Sequence, residues 1–234
     1  MKRPPVIVLE TSSMCNRFCP TCIRNSYLDR EAVKSRFELN FMSMEMIEEF
    51  VKQYIELDFN SSVCLSHYNE PLMDPRIVDI IKLLKENGIK TIYLVTNGDF
   101  LTDEMAGRLD KILNKIIISL YDRRPYNKKN AVRFLFKKTK VQIKGWHIKT
   151  HFHPEAISLN DLKCKQPLVK RLIINYEGRY CLCCEDLNGI SGFGSFPEID
   201  LRQYWFGKKH IKFVKDLSMP GGRNKYDYCS ICPR

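Results

Sequence analysis

The 234-residue chain predicts an α/β fold: a partial (β/α) barrel over residues 1–155, followed by a small C-terminal unit over residues 156–234 made of a β-hairpin and a helix. Two observations carry this expectation. Short β-branched runs alternate with amphipathic runs of helical period through the first 150 or so residues, and alternation of that kind implies parallel strands joined by right-handed crossovers. After VQIKGWHIKTHFH the alternation stops, and the remaining chain carries a hairpin pattern, a basic amphipathic run and a terminal cysteine pair.

The elements follow in order. VIVLETS (6–12) reads as a buried strand, MEMIEEFVKQYIEL (44–57) as an amphipathic helix, SVCLSHY (62–68) as a strand, and RIVDIIKLLKENG (76–88) as a helix stopped by Gly88. TIYLVTNG (91–98) is a strand ending in a turn, TDEMAGRLDKIL (102–113) a helix capped by Thr102, KIIISL (115–120) a β-branched strand, and AVRFLFKK (131–138) a short basic helix. In the C-terminal unit RLIINYEGRYCLCCED forms the hairpin with Glu177-Gly178 at its turn, and DLRQYWFGKKHIKFVKDL (200–217) forms one helix. In such a barrel the loops after the strands lie on one rim, which brings together the cysteine loop, NEP, TNG and SLYD.

Composition excludes several classes. With 44% hydrophobic and 28% charged residues the chain should fold as an ordinary soluble protein. No stretch of eighteen apolar residues occurs, and the short apolar run near the N-terminus lacks a cleavage site, so a cytoplasmic protein without a membrane span is expected. Ten cysteines in a reducing compartment point to metal or redox chemistry rather than disulfides. The net charge of +11 makes anionic partners plausible, yet the basic residues are scattered through RRPYNKK, FKKTK and KKHIK and do not form the aromatic-interleaved stripe of a nucleic-acid surface. A monomer is expected.

CNRFCPTC (15–22) offers three thiolates, Cys15, Cys19 and Cys22, with no histidine nearby. Structural zinc usually closes with four protein ligands, whereas a cubane cluster held by three leaves one iron free for a small molecule. A CxxxCxxC loop directly after the first strand of a β/α unit resembles the signature of the radical S-adenosylmethionine (SAM) enzymes. The resemblance implies a 4Fe-4S cluster whose free iron is chelated by SAM. SHYNEP (66–71) resembles the turn that receives the SAM amino group, which implicates Glu70 and, beside it, Tyr68. Asn97 and Ser119 stand where the family places polar groups around the ribose and carboxylate, although strand-end capping explains them as well. Two positions depart from the family: Thr21 replaces a usual aromatic and Asn69 a common glycine.

Cys164, Gly178, Cys183 and the terminal Cys229-Ser-Ile-Cys232 have the spacing of a twitch domain, the shortened SPASM module. The resemblance implies a second, auxiliary 4Fe-4S cluster closed by Cys164, Cys183, Cys229 and Cys232; a structural zinc ribbon would suit the same four thiols. Strand alternation puts Cys181 and Cys183 on one face and leaves Cys181 as an alternative ligand. Cys64 reads as a small core residue. With TNGDFLT and CCEDLN added, the chain resembles the twitch-bearing radical SAM dehydrogenases that act on aminocyclitols such as 2-deoxy-scyllo-inosamine. Such an enzyme generates a 5'-deoxyadenosyl radical, abstracts hydrogen from a small polar substrate and passes an electron to the auxiliary cluster; Glu185 would then contact the substrate, or else be a hairpin surface acid. The substrate is expected to be anionic, aminocyclitol-like or sugar-like, and the electron donor a flavodoxin or ferredoxin. A peptide maturase is the alternative, against which the N-terminus shows no leader-binding winged helix, and a non-catalytic metal-bound module is the third.

Overall fold

The computed structural model describes residues 2–19, 22–26, 31–120, 135–145, 164, 171–189 and 191–230. Among them a seven-stranded sheet runs in the order β5-β4-β3-β2-β1-β6-β7, formed by β1 (Val6–Leu9), β2 (Ser62–Cys64), β3 (Ile92–Thr96), β4 (Lys115–Leu120), β5 (Lys140–Gly145), β6 (Arg171–Ile174) and β7 (Tyr180–Cys181). Every neighbouring pair is parallel except β6–β7. Strand β6 lies along β1, Val6 opposite Arg171 and Leu9 opposite Ile174, so the first strand of the hairpin continues the barrel sheet.

Period-two alternation explains the two sides of the sheet. Ile7, Leu9, Val63, Leu65, Ile92, Leu94, Ile116, Ile118, Leu172 and Ile174 join the helices in the main core. The alternate residues Val8, Cys64, Ile173 and Cys181 form a smaller cluster flanked by Val6, Tyr93 and Val95. Helix α1 (Ile23–Ser26) ends the cysteine loop, and α2 (Met44–Glu56), α3 (Ile77–Glu86) and α4 (Asp103–Leu109) follow β1, β2 and β3. Helix α2 sets Ile47, Phe50, Val51 and Tyr54 against the sheet, and α3 sets Ile77, Ile80, Ile81 and Leu84. Their ends are written in the sequence: Ser43 and Thr102 accept backbone N–H bonds from Met46 and Met105, and Gly88, at φ +83, takes the left-handed conformation after α3.

The expected helix over 200–217 is two helices, α5 (Leu201–Trp205) and α6 (Lys208–Leu217), followed by α7 (Asp227–Ser230). The break lies at Phe206-Gly207, where the chain folds back so tightly that a Cβ on Gly207 would stand 2.1 Å from the Gln203 carbonyl oxygen. Asp200 and Gln203 form a reciprocal capping box that starts α5. In AVRFLFKK, residues 131–134 lie outside the described residues, as do Tyr121 and Asp122 of SLYD, and Leu135–Lys138 are not helical. There the N–H groups of Lys137, Lys138 and Thr139 converge on Asp110 Oδ1 at 3.0, 2.8 and 2.8 Å, which bends the chain into β5 instead. The strands expected over 6–12 and 62–68 end early, at Leu9 and Cys64, because their last residues turn away to build the rim. Among the described residues no helix is long and apolar enough to cross a membrane.

Candidate active site

Residues from three rim loops surround one cavity of about 160 Å³: Cys15, Cys19 and Cys22 after β1, Ser66–Glu70 after β2, and Val95–Asn97 at the end of β3. The cysteine loop is held by its own backbone and by a buried guanidinium. Cys22 N–H donates to the Cys19 carbonyl at 3.0 Å and Asn25 N–H to the Cys22 carbonyl at 2.9 Å. Arg24, almost wholly buried, donates to the carbonyls of Cys15 and Arg17 at 2.9 Å each and of Arg36 at 3.2 Å. A second clamp runs across the rim, where Arg17 Nε donates to Asp99 Oδ2 at 2.6 Å and Asn16 Nδ2 to the same oxygen at 2.8 Å.

Burial pushes all three thiols up from their ordinary pKa, while the charge of Arg24 pulls each back down. The thiolate form therefore needs a compensating cation, which a metal cluster provides. Three soft sulfur donors lining one cavity fit an iron–sulfur cluster with one open iron. Among the described residues no three Cys, His, Asp or Glu side chains are gathered tightly enough to hold a single metal ion.

Glu70 sits where the turn expectation placed it, and its carboxylate organises two loops. Oε1 accepts from Leu72 N–H at 3.1 Å and Thr96 Oγ1 at 2.6 Å, and Oε2 accepts from Asn97 N–H at 2.7 Å. A carboxylate has about four acceptor positions, so room for one more donor remains. Burial raises the Glu70 pKa, opposed by these bonds, the one from Asn97 first. Asn97 lines the cavity, but its amide donates to Asn16 Oδ1 at 2.8 Å and reaches Cys15 Sγ at 3.8 Å, which ties the TNG turn to the first thiol. Tyr68 also lines the cavity; its hydroxyl donates to the Cys184 carbonyl, linking this turn to the hairpin's end. Ser119 lies on β4 and is not part of the cavity lining. Thr21 is outside the described residues, as is Cys232.

The C-terminal thiols fall on segments that are chained together. Cys164 N–H donates to the carbonyl of Leu217 at the end of α6. Asp216 in turn holds Lys225 at 3.0 Å and Tyr226 at 2.7 Å, just before α7 and its buried Cys229. Tyr228 donates to the Glu185 carbonyl, and the Glu185 N–H donates to Cys183 Sγ at 3.4 Å. Strand β7 ends at Cys181, which packs with Val8, Cys64 and Ile173, while Cys183 lies beyond it in a bend. The alternation that made Cys181 and Cys183 equivalent therefore does not extend that far. Cys64 is a core residue, as expected. Glu185 is fully buried rather than a surface acid, and its charge helps hold the Tyr68 pKa far up, after burial itself.

Sequence reasoning missed Arg24, the Arg17–Asp99 clamp, and a buried pair at the top of β1 in which Arg36 Nη1 stands 2.8 Å from Glu10 Oε1. One signal was available: a glutamate continuing the apolar run VIVL on the face of Val8 is an acid pointing into a core.

A family model described as the radical SAM superfamily matches residues 9–140. No curated protein matches the chain. Among solved structures, BtrN in complex with AdoMet and 2-DOIA is similar with a TM-score of 0.79 and 24% identity, over 100% of this chain and 95% of that one. Native anSMEcpe with bound AdoMet has a TM-score of 0.64 and 15% identity, over 97% and 88%. Streptococcus suis SuiB bound to precursor peptide SuiA has a TM-score of 0.58 and 14% identity, over 100% and 77%. At these identities the likeness is one of fold.

Proposed function

Because the chain belongs to the radical SAM superfamily, we propose that it is a radical SAM oxidoreductase acting on a small polar substrate of the aminocyclitol or sugar kind. The carrying observation is that Cys15, Cys19 and Cys22 border the same cavity as Glu70, Tyr68 and Asn97. When bound, a 4Fe-4S cluster with SAM supplies a 5'-deoxyadenosyl radical for hydrogen abstraction, and an auxiliary 4Fe-4S cluster supplies an acceptor for the second electron of a dehydrogenation.

The chain's own residues do the rest. Cys15, Cys19 and Cys22 would hold the first cluster, on a loop that Arg24 pre-organises by gripping its carbonyls. Glu70 would accept the SAM ammonium at its remaining acceptor position. Cys164, Cys183, Cys229 and Cys232 would close the auxiliary site, which Tyr68 and Tyr228 tie to the cavity wall through Cys184 and Glu185. Glu185, buried beside Tyr68, would meet the substrate. Support for a small substrate comes from the nearly complete mutual coverage with BtrN, whose structure holds AdoMet and 2-DOIA. Peptide maturation is the second reading, supported by the fold likeness to SuiB bound to its precursor peptide. The electron donor would be a flavodoxin or ferredoxin, acidic proteins suited to a chain of net charge +11.

The test is anaerobic reconstitution. The parent should hold about eight irons and release 5'-deoxyadenosine from SAM. Cys15→Ala, Cys19→Ala or Cys22→Ala should abolish that release and leave about four irons. Zinc bound at either cysteine set, with no SAM cleavage, would refute the reading.

A further inference from the structure

We propose that Arg24 is the counter-ion of the first cluster and sets its reduction potential, in addition to holding the cysteine loop. This rests on the radical SAM reading above and names the residue that tunes that same site.

Arg24 is the second residue of α1, just past the third thiol; it is almost wholly buried and borders the cavity together with Cys15, Cys19 and Cys22. A guanidinium keeps its charge at any pH a folded protein meets, and burying such a charge is costly unless an anion answers it. Among the described residues no carboxylate does so. Nη1 donates to the carbonyl of Arg36, and Nη2 to those of Cys15 and Arg17, all of them neutral acceptors. Nε is shielded from solvent and has no hydrogen-bond partner. The rings of Phe37 and Phe18 stand 5.1 and 6.0 Å from the guanidinium carbon, a small compensation beside a full charge.

The acids of the rim are engaged elsewhere. Asp99 accepts from Arg17 and Asn16, Glu10 pairs with Arg36, and the oxygens of Glu70 accept from Leu72, Thr96 and Asn97. Arg17 and Arg36 thus each have a carboxylate, whereas Arg24 has only carbonyls. What remains to answer its charge is the set of three thiols, each of which feels it electrostatically. Three thiolates outweigh the charge of an oxidised 4Fe-4S core, so a cluster bound here is an anion, and a stronger one once reduced. A buried cation beside it stabilises the reduced state more than the oxidised one, which raises the potential. The electron comes from the reduced flavodoxin or ferredoxin proposed above; Arg24 changes how readily it is accepted, not how many are needed.

The experiment compares the reconstituted parent, Arg24→Lys and Arg24→Gln in redox titrations followed by electron paramagnetic resonance, with iron and sulfide counted in every sample. Lysine keeps the charge and loses the planar fork that reaches three carbonyls; glutamine keeps a donor and loses the charge. Where both variants load the first cluster, Arg24→Gln should lower its reduction equilibrium constant tenfold or more, a shift of about 59 mV to more negative potential for one electron. Arg24→Lys should show less than half that shift, and the auxiliary cluster should keep the parent's potential in both. Where Arg24→Gln cannot hold the first cluster and Arg24→Lys can, the charge is required and the proposal stands. Equal potentials in all three proteins, a shift as large in the lysine variant, or a first cluster lost from both variants or from the lysine variant alone overturns it and leaves Arg24 a clamp on loop carbonyls. Those results leave the radical SAM reading intact, since the parent still binds a cluster that responds to SAM. A parent without such a cluster overturns both.

Discussion

Replacing Glu70 by glutamine keeps the side chain's shape and removes one acceptor oxygen and the charge. In the protein Oε1 accepts two hydrogen bonds and Oε2 accepts the N–H of Asn97 at 2.7 Å. A glutamine can keep its oxygen toward Leu72 and Thr96, and its NH₂ then faces the Asn97 N–H, donor against donor. The lost bond and stranded amide cost about 1–3 kcal/mol of stability, and at about 2–4 °C per kcal/mol for a chain of this size the melting temperature should fall by several degrees. The SAM ammonium loses a charge-assisted partner worth about 1.5–3 kcal/mol, which is a weakening of about 10- to 150-fold. Equilibrium binding of SAM to reconstituted Glu70→Gln, with iron counted in the same sample, reads both effects. Parent-like SAM affinity with full iron content would refute the role, and would reduce the NEP turn to a brace between β2 and β3.

Three further outcomes are expected. Arg24→Met should lose about 2–4 kcal/mol, since three loop carbonyls lose a buried charged donor; denaturant midpoints check this, and iron retention should fall with them. For His67 the folded pKa lies below the unfolded value of 6.5, at about 4, because burial outweighs the attraction of Glu10, with Arg36 and Arg171 adding to the depression. The unfolded state therefore binds more protons in that window, so stability is full above pH 6.5 and declines toward pH 4 by up to about 3 kcal/mol. Chemical denaturation of His67→Leu across the same range should show a shallower acid slope, and an unchanged slope would refute it. Gly207→Ala should destabilise by about 1–3 kcal/mol, because its methyl would meet the Gln203 carbonyl at 2.1 Å; parent-like stability would show that the α5–α6 break can relax.

Local signals in the sequence specified most of the barrel's elements and the first cysteine site. β-branched runs and amphipathic periods are local signals, so β1 to β4 and α2 to α4 appeared where expected, and Ser43, Thr102 and Gly88 marked ends by chemistry confined to one turn. Cys15, Cys19 and Cys22 were legible for the same reason: eight residues of chain and one strand end are enough to bring them to one cavity. Tertiary structure alone decided what depends on partners far along the chain. The split of residues 200–217 at Gly207 follows from a close backbone approach that no amphipathic pattern records. Tyr68 reaches the carbonyl of Cys184 and Arg36 reaches Glu10 and Asn188, across 116, 26 and 152 residues of sequence. Burial set the state of His67, and pairing on one side only left Glu10 with an unspent oxygen. A hydrophobic period reports which face of an element is buried, whereas a hydrogen-bond inventory exists only once the other faces are in place.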